Sequence, residues 1–153
     1  MNVSSRRSFL HLASATGLVA VAGPIVAMRA AQAADGKAAF EAKTTADAMK
    51  ALGIAPAESK EVHLKAPDIA ENGAEVPLEI TSHVPGTQSI AVFIDRNPFP
   101  FVASFDVSKG ALPFVALRVK MSETSNVRAI AIAGSKAFST AKEVKVTIGG
   151  CGA

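Results

Sequence analysis

The chain carries one cysteine, Cys151, set in Gly149-Gly150-Cys151-Gly152-Ala153 at its C-terminal end. A thiol is the only group there able to form a covalent bond. As a thiolate it attacks sulfur electrophiles and forms sulfur–sulfur bonds. A lone cysteine is most often a small buried hydrophobe, and a glycine-rich end is most often loose chain. These two ordinary explanations exclude one another here, because a cysteine flanked by glycines two residues from the end cannot be a core residue. At about 3.3–3.6 Å per residue, Cys151 reaches roughly 10 Å beyond Ile148. The thin backbone of Gly149, Gly150 and Gly152 would let such an arm enter a pocket too narrow for an ordinary loop. No cation within the arm favours the thiolate, so activation would have to come from a partner's pocket.

The opposite end carries chemistry of another kind. Ser5-Arg6-Arg7-Ser8-Phe9-Leu10-His11 precedes an apolar, alanine-rich stretch from Leu12 to Met28, and then Ala31-Gln32-Ala33. Paired arginines, an apolar run and a small-x-small site, in that order, make an export signal. Arg6 and Arg7 are its recognition pair. The apolar run is long enough to anchor in a membrane, but Ser14, Thr16, Gly17, Gly23 and Pro24 dilute it and a cleavage site follows. Cleavage after Ala33 is expected, leaving no membrane segment. Of 16 basic residues, Arg6, Arg7 and Arg29 lie in this leader, whereas all 13 acidic residues follow it. The mature chain is therefore electrically balanced, which removes the basic footprint that nucleic-acid binding would need. An exported chain with one cysteine cannot form an internal disulfide, so its thiol is reactive or bridges two molecules.

The elements that must position the arm follow from periodicity. Residues 35–52 read as one short helix, with Ala38, Ala42, Thr45, Met49 and Leu52 on a face, Asp35 as N-cap and Gly53 as stop. From residue 60 the period becomes two. Val62, Leu64 and Ala66 alternate with polar neighbours, as do Val76, Leu78 and Ile80, then Ile90, Val92 and Ile94. Further strands are expected near 101–107, 113–120, 126–133 and 143–148, many separated by turns such as Asn72-Gly73, Pro85-Gly86, Asn97-Pro98 and Gly134-Ser135. Short strands with no helical pattern between them imply an all-β, immunoglobulin-like antiparallel sandwich over 60–148, preceded by the short N-terminal helix. With no Trp and no Tyr, Phe and aliphatic side chains must fill its core. The domain plan is an export leader with paired arginines over 1–33, a domain over 34–148 and a glycine-flanked C-terminal arm over 149–153.

Val146-Thr147-Ile148-Gly149-Gly150-Cys151-Gly152-Ala153 resembles the C-terminus of the SoxY family, the sulfur carriers of periplasmic thiosulfate oxidation, which end Gly-Gly-Cys-Gly-Gly. The segment from Ala66-Pro67 through Ala70-Glu71-Asn72-Gly73 to Val76-Pro77 also resembles the family's pattern, as does Asn97-Pro98 followed by Pro100. Ala153 in place of the last glycine is a departure that leaves the cysteine's immediate neighbours unchanged. The leader resembles the Tat signal, with His11 where that pattern has lysine. The resemblance implies that Cys151 is the covalent attachment point and that the protein is a periplasmic carrier and not an enzyme, with no catalytic residue, cofactor or metal of its own. It implies a heterodimer with a SoxZ-type subunit. It also implies a c-type cytochrome that joins thiosulfate to the thiol, a hydrolase that releases sulfate, and a sulfane dehydrogenase that oxidises the remaining sulfur. Two other classes compete. An exported copper-binding sandwich would need ligands fixed on the sandwich, yet the cysteine lies off it. His63 and His83, the two histidines after the leader, lack a cysteine or acid at ligand spacing and read as surface residues. A structural module cross-linked through Cys151 would form only protein–protein bridges.

Overall fold

The computed structural model, which describes residues 36–148, has nine strands among them, the period-two segments and others that carry no such pattern. They are Ala57–Glu58 (β1), Val62–Lys65 (β2), Ile69–Ala70 (β3), Val76–Ser82 (β4), Ser89–Ile94 (β5), Phe101–Asp106 (β6), Phe114–Val119 (β7), Ser125–Ala133 (β8) and Lys136–Val146 (β9). The larger sheet runs β1-β9-β8-β5-β6, with β3 also paired to β9; the smaller runs β2-β4-β7. The pairs β2–β4, β4–β7, β5–β6, β5–β8 and β8–β9 are antiparallel. The short β1 and β3 instead run parallel to β9, near its start and its end.

The facing sides of the two sheets enclose an aliphatic core that includes Val62, Leu78, Ile80, Ile90, Val92, Ile94, Val127, Ala129 and Val144. The other side of the larger sheet is also covered. Ala91, Phe93, Phe101, Ile130 and Ala137 pack there with Ala39 and Ala48 of the N-terminal helical region. This explains why β5, Ser-Ile-Ala-Val-Phe-Ile, is buried along nearly its whole length: a strand covered on both faces has no polar phase. Of the expected core phenylalanines, Phe93 and Phe101 lie under the helices, 5.0 Å apart by ring centroid. The inter-sheet core itself is aliphatic, with Phe105 and Phe138 at its margin.

The expected single helix over 35–52 is interrupted. Residues 36–41 are helical, the chain breaks at 42–44, and a second helix, α1, runs Thr45–Ala51. Thr44 is the reason. It takes an extended backbone (φ −128°, ψ 150°) and its Oγ1 accepts the Asp47 N–H, an N-cap that starts a new helix and cannot continue an old one. Gly53, at φ 66°, ends α1. The Gly53 N–H donates to the Lys50 carbonyl and the Ile54 N–H to the Met49 carbonyl, both at 3.0 Å, the paired bonds of a glycine C-terminus. The buried positions are Ala39 and Ala48; Ala38, placed on the apolar face by spacing, is exposed. Asp35, expected as the cap, lies outside the described residues. Thr45 Oγ1 donates to Asp95 Oδ1 at 3.0 Å, and Arg128 Nε reaches the same carboxylate at 2.9 Å, tying α1 to β8 through the residue after β5.

β9 is longer than the strand expected over 143–148. Its first half is Lys-Ala-Phe-Ser-Thr-Ala-Lys, in which small residues occupy buried positions. Ala137 packs under the helices and Phe138 against the inter-sheet core. Small side chains give little hydrophobic signal, so only the Val144-Val146-Ile148 half is visible in the pattern.

Candidate functional site

The site is approached from the strand that leads to it. β9 pairs with β8 on one side and with β3 on the other near its end. The Lys145 N–H donates to the Asp68 carbonyl at 3.0 Å, and the Thr147 N–H to the Ala70 carbonyl at 3.1 Å. Past the strand's last residue the bonding continues. Thr147 Oγ1 donates to the Glu71 carbonyl at 2.9 Å, and the Gly73 N–H donates to the Ile148 carbonyl at 2.7 Å. From inside the sandwich, Thr124 Oγ1 accepts the Val146 N–H at 2.9 Å, while the Gly73 carbonyl accepts the Met121 N–H at 2.7 Å. Residues 68–73 thus form a strap along the end of β9 and the two residues that follow it, Thr147 and Ile148. It fastens the chain up to Ile148, three residues before Cys151.

The strap has its own supports. Asn72 Oδ1 accepts the Ala74 N–H at 2.8 Å, the side-chain turn that suits Asn before Gly. Lys142 Nζ donates to the Ala66 carbonyl at 2.6 Å and meets Asp68 Oδ1 at 2.9 Å. The Lys142 hydrogen bond and then its charge hold the Asp68 carboxyl below its ordinary pKa against an opposing desolvation effect, with a lesser contribution from the charge of Lys145. On the neighbouring loop, Asn97 Nδ2 donates to the Lys120 carbonyl at 2.7 Å, and its Oδ1 accepts the Ser122 N–H at 3.0 Å. This bond pair pins the 120–122 segment that leads to Thr124.

The motif residues of 66–73 and Asn97 therefore sit around the end of β9 and the loop before β8. Asp68, Ala70, Glu71 and Gly73 bond to residues 145–148 directly, Asn72 turns the strap, and Ala66 anchors Lys142. Cys151, Gly149, Gly150, Gly152 and Ala153, and the export pair Arg6 and Arg7, lie outside the described residues, as does the boundary after Ala33. What sequence reasoning missed is the strap. Asn72-Gly73 reads as a turn, but two residues of parallel pairing carry no periodic signal. His63, expected on the surface, and His83 are both exposed and stand ring to ring, centroids 5.0 Å apart in an edge-on arrangement. No group of three or more His, Cys, Asp or Glu at metal-binding arrangement occurs among the described residues, and none of their helices is long and apolar enough to cross a membrane.

The sequence matches the family model of sulfur oxidation protein SoxY over residues 48–151, so that the match runs from α1 to the cysteine. The chain belongs to the SoxY family. The solved sulfur carrier protein SoxY from Chlorobium limicola f thiosulfatophilum is 43% identical, with a TM-score of 0.60, over 67% of this chain and 94% of that one. That structure and this one share the β-sandwich. Two more distant structures are an engineered protein (20% identity, TM-score 0.41, 57% of this chain and 20% of that one) and a lytic polysaccharide monooxygenase from Jonesia denitrificans (18% identity, TM-score 0.39, 53% and 58%). Neither is similar enough to bear on the site. No curated protein matches the chain.

Proposed function

We propose that this protein is a covalent carrier of sulfur intermediates in thiosulfate oxidation, holding them on the thiol of Cys151 and presenting them to partner enzymes. The observation that carries this reading is the extent of the family match, which ends on Cys151 itself. The related Chlorobium protein, a sulfur carrier, supports it. So does the foundation described above, since a carrier needs a fixed root from which a short reach can be repeated.

The chemistry belongs to the partners. A c-type cytochrome removes two electrons and one proton as the Cys151 sulfur joins the outer sulfur of thiosulfate. Water then cleaves the bond to the terminal sulfonate in a hydrolase, releasing sulfate and a proton and leaving a persulfide on the arm. A sulfane dehydrogenase can take six electrons from that outer sulfur, adding three oxygens from water, to regenerate a sulfonate for a second hydrolysis. The carrier's part is to hold each intermediate and to move it. A SoxZ-type subunit completes the heterodimer, and the Tat leader delivers the protein to the periplasm. N-terminal sequencing of periplasmic protein should begin at Ala34; a chain still carrying Phe9 and Leu10 would refute cleavage.

The test is a reconstituted system of this protein, its SoxZ-type partner, the cytochrome and thiosulfate. Intact mass should increase by one thiosulfate unit, with tandem fragmentation placing it on Cys151. Cys151→Ser should show neither the adduct nor thiosulfate-dependent cytochrome reduction, because a hydroxyl cannot form the sulfur–sulfur bond. Turnover by Cys151→Ser at the wild-type rate would end the carrier reading. Disulfide-linked protein as the sole product would favour a cross-linking module instead.

A further inference from the structure

The two histidines that follow the leader meet on the outer face of the smaller sheet. His63 lies in β2, paired with Thr81 of β4. The pairing continues one step past both strands, where the His83 N–H donates to the Glu61 carbonyl at 2.8 Å. Residues of such a ladder alternate between its faces. Val62 and Ser82 are buried, whereas Glu61, His63 and His83 are exposed, so these three share the outer face. His63 and His83 are diagonal neighbours across the pair, a separation that aromatic and long side chains can bridge. Their rings do bridge it, with centroids 5.0 Å apart and planes at 76°. Main-chain pairing sets that spacing.

Two imidazoles at this spacing suit a metal ion. An imidazole nitrogen binds such an ion at about 2.0–2.1 Å and stands about 1.1 Å from its own ring centre, so the ion lies about 3.2 Å from each centroid. Two rings sharing one ion at an angle of about 90–110° then have centroids about 4.5–5.2 Å apart. The 5.0 Å between His63 and His83 falls within that range. The rings stand edge to face and are exposed, so each can turn about its side-chain bonds to aim a nitrogen at one point while the strands stay in place. Glu61, opposite His83 on the same face, brings a negative charge to the pair. No group of three His, Cys, Asp or Glu in metal-binding arrangement occurs among the described residues, so water would fill the remaining positions. Imidazole suits copper, nickel and zinc, and among divalent ions Cu²⁺ binds nitrogen sites most tightly. We infer that His63 and His83 form a two-nitrogen site for a divalent transition-metal ion, taking Cu²⁺ more tightly than Zn²⁺. The bound ion clips β2, an edge strand of the smaller sheet, to the end of β4. The site goes beyond what the family resemblance implies, uses nothing from Cys151, and stands whether or not the carrier reading does.

The experiment uses the exported full-length chain carrying Cys151→Ser, so that the thiol neither binds nor reduces copper. Titration with Cu²⁺, followed by electron paramagnetic resonance, should fill one site per chain and show splitting from two imidazole nitrogens. His63→Ala and His83→Ala should each remove the two-nitrogen pattern and raise the Kd for Cu²⁺ by about tenfold or more, since even an outer partner of a metal ligand is worth that much. Saturating Zn²⁺ should raise the melting temperature of the parent chain, because an ion that binds only the folded state stabilises it, and should leave that of either variant unmoved. His63→Gln and His83→Gln give a second reading should an alanine variant melt early without metal. A Kd unchanged in either single variant overturns the shared site, because a lone histidine or the chain's amino terminus would then hold the ion. A one-nitrogen spectrum in the parent chain overturns it as well.

Discussion

Thr147→Val tests whether the strap fixes the arm's root. The substitution removes one hydrogen bond, from Thr147 Oγ1 to the Glu71 carbonyl at 2.9 Å. It retains a β-branched side chain, so the local backbone preference is held. A neutral hydrogen bond contributes about 0.5–1.5 kcal/mol net. Thr147 is exposed, so water partly replaces its partner and the lower part of that range applies. The loss should appear locally, because the 68–73 strap can separate from β9 without opening the sandwich. The reporters are the amides of Thr147 and Gly73, bonded to the Ala70 and Ile148 carbonyls. Their hydrogen exchange should accelerate by about two- to fivefold, the factor that about 0.5–1 kcal/mol gives. Amides of Ala129–Ala131 in β8 should keep their wild-type protection. Unchanged exchange at Gly73 and Thr147 would show that the hydroxyl does not hold the strap. Equal acceleration in β8 would show that the strap is not a separate unit, and the argument for an independently fastened root would fail.

Gly150→Val should leave the unfolding free energy within about 0.5 kcal/mol of wild type while lowering thiosulfate-dependent cytochrome reduction, since a β-branched side chain beside the thiol stiffens and thickens the arm; a large drop in melting temperature would contradict a separable arm. Phe93→Ala should destabilise the protein by about 3–5 kcal/mol, read from the urea midpoint, because Phe93 is fully buried beneath the helical region; a loss under 1 kcal/mol would mean that the helices do not pack as described. The Asp68 carboxyl should titrate below its ordinary value of 3.8, followed by its side-chain carbon resonance. Because the folded value is depressed, its ion pair with Lys142 contributes fully above the ordinary carboxylate range and is lost as pH falls through the folded value. Lys142→Ala should move the titration back up; a curve that does not move would assign the depression to another group.

The thiol, which lies outside the described residues, stands out in the sequence by residue type and immediate neighbours alone. Cys151 between glycines needs no fold to be proposed as the reactive group, and the alternation of Val76, Leu78 and Ile80 needs none to be recognised as a half-buried strand. The helix break at 42–44 was hidden because the periodic face spans it; only the extended backbone of Thr44 reveals that one side chain caps a second helix. The first half of β9 was hidden because Ala137 and Ser139 occupy its buried positions with little apolar surface. The strap was hidden for a different reason. Its bonds run mostly between main-chain atoms, Thr147 to Ala70 and Gly73 to Ile148, and main-chain groups are the same in every residue. What the sequence does carry there is Ala-Glu-Asn-Gly, which is easily taken as a mark of the chemistry. Its geometry argues otherwise. Asn72 turns the chain, Gly73 sends its N–H to Ile148 and its carbonyl to Met121, and Glu71 offers Thr147 only a carbonyl. None of these contacts uses a reactive side chain, so on the proposed carrier reading the segment would position the chain that leads to Cys151 and leave the reaction to the thiol and its partners.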